Sequence, residues 1–312
     1  MKKYLFYIII CCYAVTSRAQ KEFRFRNFSI TDGLSQSSVT AIVQDESDAL
    51  WVGTQDGLNR FDGKEFEVFT PDNTKGLESG YIKCALIDQT GKLWFGTNNG
   101  LSIYEPQTET FSTYFAVDKE IIQIEDLAND KNGNLWVTTS ESGLFHFDTK
   151  TRKFTSLKSV ISSRKTTRVV VTENGIVVVA TTDDGLFFYD PKTKKVSSRL
   201  ANKTGLSAVN RMIVYGRNEL ILATNDGVFT LDIHTQKVSE KFGRWKEKMG
   251  EVSATDVYKY RDFGWVICTK SQGLYVIYDD GEIHQSTEDI FQKSALLNNA
   301  TNLIYRDNAG FL

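Results

Sequence analysis

Residues 50–63 read "LWVGTQDGLNRFDG", an apolar pair, a Gly-Thr, an Asp-Gly and an aromatic-Asp. The stretch decides the fold because it recurs. Residues 93–105 read "LWFGTNNGLSIYE", 135–148 "LWVTTSESGLFHFD", 177–190 "VVVATTDDGLFFYD", 220–232 "LILATNDGVFTLD" and 265–279 "WVICTKSQGLYVIYD". The glycine opening the second half of each copy is Gly57, Gly100, Gly143, Gly185, Gly227 or Gly273, at spacings of 43, 43, 42, 42 and 46 residues. Self-similarity at a fixed period marks a repeat architecture, and it overrides any reading of one copy as an isolated site.

Each copy has an apolar run ending in a turn before it and a polar turn leading to an aromatic run after it. A unit therefore holds four short strands joined by tight turns. Four antiparallel strands in about 40–45 residues are the unit of a β-propeller, so the expected fold is all-β, a propeller of four-stranded blades. Blades are expected near 38–70, 81–115, 122–158, 166–200, 208–242 and 254–286. A seventh begins at 301–312, in "TNLIYRDNAGFL", which makes the chain read as a truncated seven-bladed ring and the front part of a longer protein. Residues 21–30 are expected as the outer strand closing that ring.

Composition agrees. With 41% hydrophobic and 24% charged residues, 20 Phe and 13 Tyr in 312 residues, the chain can bury a large core of aromatic side chains suited to strands. The N-terminus, "MKKYLFYIIICCYAVTSRAQ", has Lys2 and Lys3 before an apolar run of 12 residues, Tyr4 to Val15, then Ser17 and Ala19. That is the form of a secretory signal peptide over 1–19, leaving 20–312 as the propeller. The run falls short of the roughly 20 apolar residues that span a bilayer. Removing 1–19 leaves 34 basic against 39 acidic side chains, a net charge of −5, which speaks against nucleic acid as a partner. Cys84 and Cys268 remain, far apart in apolar runs, and read as free thiols.

The pattern D-x-x-G-x-L-W-[VF]-G-T-x-x-G-L, best seen as "DQTGKLWFGTNNGL" (88–101), resembles the two-component regulator propeller repeat. "ITDGLSQSSVTAIVQDESDALWVGTQDGLNRFDG" (30–63) is similar to the start of the periplasmic sensor region of hybrid two-component sensor histidine kinases. Blades four to six depart from it, with Val178, Ile221 and Val266 for the tryptophan and Ala180, Ala223 and Cys268 for the glycine. The resemblance implies a periplasmic, ligand-sensing, non-catalytic module that responds to carbohydrate or another small ligand. It implies as partners further propeller and β-sandwich domains of the same longer chain, a homodimer of the receptor, an inner-membrane anchor and a histidine kinase beyond residue 312. Two alternatives stand beside it: a secreted propeller enzyme of the lyase type and a purely structural interaction propeller.

Repeated residues are explained by the fold. Trp51, Trp94 and Trp136 share one rung and read as core, and Asp56, Asp184 and Asp226 before the repeat glycine read as turn residues. No cofactor or metal is expected: His146, His234 and His284 lack metal-ligand spacing, and there is no nucleophile elbow, so no catalytic residue is assigned. Function is sought where the pattern breaks. One break is "FGRWKEKMGEVSAT" (242–255), where Arg244, Trp245, Lys246 and Lys248 pair an aromatic plate with positive charge; the alternative is a solvated loop with Trp245 tucked over the core. Tyr81, opening the inner strand of blade two, is a further candidate.

The second break is a rung of the inner strands, Ala41, Cys84, Asp126, Arg168, Arg211 and Asp256, each nine residues before the blade position of Leu50. Its charged arc is expected either as inter-blade pairs, Asp126 with Arg168 and Arg211 with Asp256, or as a polar channel mouth for a small anion or sugar.

Overall fold

The computed structural model describes residues 25–116, 122–200, 208–260, 263–289, 292 and 294–312. The expected signal peptide at 1–19 lies outside the described residues. Six four-stranded antiparallel sheets follow one another along the chain, each with its strands in sequence order, spanning 39–69, 82–114, 124–156, 166–200, 209–240 and 254–286. The first strands (Val39–Gln44, Ile82–Ile87, Ile124–Asn129, Thr166–Val171, Val209–Tyr215 and Ala254–Tyr260) are neighbours from blade to blade and line the channel of a propeller.

The repeat sequence has a local physical cause. In every blade the threonine ending the second strand donates from its hydroxyl to the carbonyl of the repeat glycine, from Thr54 to Gly57 at 3.0 Å through Thr269 to Gly273 at 2.7 Å. The same hydroxyl accepts a loop N–H, as from Asp56, Asp184 and Asp226, so these aspartates do sit in turns. The glycine takes positive φ, +92° at Gly100 and +74° at Gly273, a region costly for any side chain. A Cβ on Gly273 would also lie 2.0 Å from the Ser286 carbonyl oxygen.

Trp51, Trp94 and Trp136 are 0%, 2% and 4% exposed and pack between sheets. The aspartate of the D-x-x-G-x-L-W pattern is the partner of the first two: the Trp51 indole N–H donates to Asp45 at 2.8 Å and that of Trp94 to Asp88 at 2.7 Å. The other carboxylate oxygen accepts turn N–H groups, from Ser47 and Ala49 in blade one and from Thr90 and Lys92 in blade two. One aspartate thus closes the turn and satisfies a buried indole.

Sheet-to-sheet spacing is kept by size exchange across blades. A Cβ on Gly53 would meet Ile82 Cγ2 at 2.6 Å, and one on Gly96 would meet Ile124 Cγ2 at 2.5 Å. Where alanine replaces the glycine the facing residue is smaller: Ala180 shares a core with Val209, and Ala223 with Ala254. Blades four to six therefore leave the motif without losing the packing.

Between blades six and one, residues 301–306 take an inner-strand path without forming a ladder. Thr301 holds Thr269 as Thr166 holds Thr139: its hydroxyl accepts the Thr269 N–H at 2.8 Å. On the other side Asn302 donates to the Val39 carbonyl and Tyr305 accepts the Gln44 N–H. Over the described part of the expected closing segment 21–30, residues 25–29 form no strand. Phe25 N–H donates to Ser294 and Phe28 packs on Phe61 and Phe66 of blade one.

Candidate functional site at the channel mouth

Every inner strand carries a β-bulge at one level. The pairing slips between Val39 and Ala41, Ile82 and Cys84, Ile124 and Asp126, Thr166 and Arg168, Val209 and Arg211, and Ala254 and Asp256. A bulge sets two residues against one on the partner strand and re-aims side chains. Here it adds the residues before the rung, Thr40, Lys83, Glu125, Asn210 and Thr255, to the channel wall. The result is a double ring around a cavity of about 400 Å³ at the starts of the inner strands.

Five of the nine candidate residues line this cavity: Tyr81, Asp126, Arg168, Arg211 and Asp256. Sequence reasoning missed the bulge residues. Their signal was present, since the position before the rung is polar in every unit: Thr40, Lys83, Glu125, Thr167, Asn210, Thr255 and, beside Leu303, Asn302.

Most bulge side chains reach a neighbouring blade, whereas that of Thr167 donates to the Ala180 carbonyl of its own blade. Asn210 donates to the Ala254 carbonyl at 2.7 Å, Thr255 to that of Thr301 at 2.5 Å, and Thr40 to that of Ile82. Lys83 and Glu125 form an ion pair at 2.6 Å across blades two and three. The expected Asp126–Arg168 pair is not made. Asp126 accepts the N–H groups of Leu127 and Val169, while the Arg168 guanidinium donates to the carbonyls of Asn210 and Glu125. The planar donor fork reaches three backbone oxygens, Thr167 supplying the third, and the carboxylate is taken up by backbone donors.

Arg211 does approach Asp256, at 3.6 Å, with its own side chain half exposed. Asp256 is 4% exposed and accepts from Val257 and Ile304. Burial pushes its carboxyl above the ordinary aspartate range, against the pull of Arg211 and those N–H groups. Burial also pushes the Cys84 thiol on the wall well up and that of Cys268 up to about 12. Both cysteines are free.

The wall is two-sided. Blades two to six supply three cations and three anions, while blade one and residues 302–305 supply Val39, Ala41, Ile42, Leu303, Ile304 and the ring of Tyr305. None of the lining residues is a histidine, and no group of metal-ligating side chains occurs among the described residues.

The Arg244–Lys248 candidates sit elsewhere. Trp245 packs on the core between blades five and six, meets Phe242 edge-on and donates its indole N–H at 3.1 Å to Gly281, in the turn between the third and fourth strands of blade six. Arg244 lies 3.6 Å over its ring and Lys246 reaches Glu240 at 3.8 Å. Trp245 thus follows the core-packing alternative, and Lys248 stays exposed.

Comparison with known proteins fits this geometry. The two component regulator propeller model matches residues 33–56 and 76–99. The histidine kinase P4 of Formosa agariphila is 49% identical over 63 residues, 20% of this chain and 5% of that protein. Two solved extracellular domains from B. thetaiotaomicron, described as parts of the hybrid two component systems BT3049 and BT4673, are similar with TM-scores of 0.78 and 0.76. Their identities are 20% and 21%, over 92% and 93% of this chain but 39% and 38% of theirs. The chain therefore spans about two-fifths of their length. A virginiamycin B lyase from Staphylococcus aureus has TM-score 0.68 at 8% identity, covering 85% of this chain and 88% of its own; at such identity the likeness is one of fold. The chain is an all-β propeller that carries the two-component regulator propeller repeat in its first two blades.

Proposed function

We propose that this chain is the ligand-sensing propeller of an exported two-component receptor, and that its channel cavity receives a carbohydrate fragment. The observation that carries the reading is the double ring of side chains, charged on one side and largely apolar on the other, set by a bulge in every inner strand. Donors and acceptors fixed by backbone geometry cost little ordering on binding. The charged arc suits sugar hydroxyls and the apolar side suits the C–H face of a ring.

The periplasmic location, the histidine kinase output, the further propeller and β-sandwich domains and a homodimeric receptor belong to the same proposal. Support for them comes from the repeat match and from the "MKK" apolar leader at 1–19. Calorimetric titration of the purified protein with a panel of neutral and acidic oligosaccharides tests it. At least one saccharide is expected to bind, and Arg211→Ala or Tyr81→Ala to weaken it about tenfold or more, the Tyr81 variant without changing Tm. Binding untouched by both variants would place the ligand elsewhere, and turnover of a panel member would replace the sensor by an enzyme.

A further inference from the structure

Blade three differs from blades one and two at one hydrogen bond. Asp45 and Asp88 take the indole N–H of Trp51 and Trp94. The equivalent oxygen of Asp130 lies instead 3.1 Å from His146 Nε2. His146 stands directly across the ladder from Trp136, its ring 4.6 Å from the indole, where blade two has Ile103 opposite Trp94. Trp136 Nε1 is left without a hydrogen bond among the described residues, and it is not sealed from solvent.

Trp136 lines a groove of about 590 Å³ between blades three and four, on the turn face opposite the channel mouth. Trp136, His146 and Tyr189 form its floor side, and Lys131, Lys192 and Lys194 its rim. Asp130 is the one carboxylate in the lining, and it is engaged by His146 and by the N–H groups of Asn132 and Asn134. Lys131 donates to the Glu173 carbonyl, and Lys192 and Lys194 have no carboxylate within salt-bridge distance among the described residues. The groove thus gathers three ammonium groups on a chain whose formal charge is −2, beside a donor that two sister blades keep occupied. Such a place favours an anion that also presents an acceptor oxygen a few ångströms away.

We infer that the groove between blades three and four is a binding subsite for a sugar bearing a carboxylate or sulfate, with the anion between the lysines and another oxygen on the Trp136 N–H. The site is distinct from the channel cavity, which lies on the other face, while a sugar as the carrier of the anion rests on the carbohydrate reading proposed above.

The test follows the indole N–H signals of the protein's five tryptophans in a ¹H–¹⁵N spectrum, with Trp136 assigned through Trp136→Phe. Probes are glucuronate, glucose 6-sulfate, inorganic sulfate and glucose. One or both anionic sugars are expected to move the Trp136 signal saturably, glucose not at all and sulfate alone about tenfold more weakly. A response to only one sugar identifies the anion. Lys192→Gln with Lys194→Gln should weaken the response about tenfold and leave the other indole signals in place. His146→Ile, copying blade two, should return the indole to Asp130, shifting its signal without ligand and abolishing the response. The inference is overturned if neither anionic sugar moves the signal, if glucose matches them, or if the response survives the lysine pair.

Discussion

At the scale of single residues, the paired aspartate and tryptophan explain why the repeat reads D-x-x-G-x-L-W. Asp88→Ala would leave the Trp94 indole, 2% exposed, with a buried unpaired donor, at a cost of about 2–3 kcal/mol. Urea unfolding should show that loss shrinking in a Trp94→Phe background, because the donor is then gone. The same pairing sets an acid limit. Burial works to raise the Asp45 carboxyl, but hydrogen bonds from Ser47, Trp51 and Ala49 outweigh it and hold it below the ordinary value; Asp130 is held down likewise, by Asn134, His146 and Asn132. An acid with a depressed folded pKa adds stability above its unfolded value, about 3.9, and loses it as pH falls through the folded one. Tm should therefore drop below about pH 4, and Asp45→Asn should flatten that drop. Asp256, raised by burial, has the opposite sign: its share of stability falls as pH rises from its unfolded toward its folded pKa.

At the scale of strands, the glycine of the second strand and the first residue of the next blade's inner strand are one packing unit. Gly53→Ala forces a Cβ to within 2.6 Å of Ile82, and such overpacking costs about 1–3 kcal/mol. Adding Ile82→Ala, which removes the clashing Cγ2 and copies the Ala223–Ala254 pair, should recover part of that cost, and a double-mutant cycle of denaturation midpoints measures the coupling. The inner-strand bulge acts on the same scale and turns a plain alternation into two adjacent channel residues. Period-two patterning places only one of them, so Arg168 was legible on the rung while Lys83 and Glu125 were not. The partner of Arg168 was also illegible, since the carbonyls of Asn210 and Glu125 are each about one blade away along the chain.

At the scale of the whole molecule, the ring is joined across blades six and one by residues 301–306. Thr301→Val would leave the N–H of fully buried Thr269 unpaired and cost about 1–3 kcal/mol. Hydrogen exchange should quicken at Thr269 while blade three, held by Thr166, keeps its protection; equal loosening of both would mean that closure is shared around the ring.

By itself the sequence determined the all-β fold and its four-stranded blades, because a repeat writes its local geometry once per blade. Its alternation of apolar and polar residues needs no long-range partner to be read. Only the tertiary structure decided that a bulge doubles the channel ring, that Trp245 belongs to the core, that Arg168 binds carbonyls rather than Asp126, and that His146 releases the Trp136 indole. Each of these depends on which of several chemically adequate partners is nearest, and that distance is set by the packing of one sheet against the next.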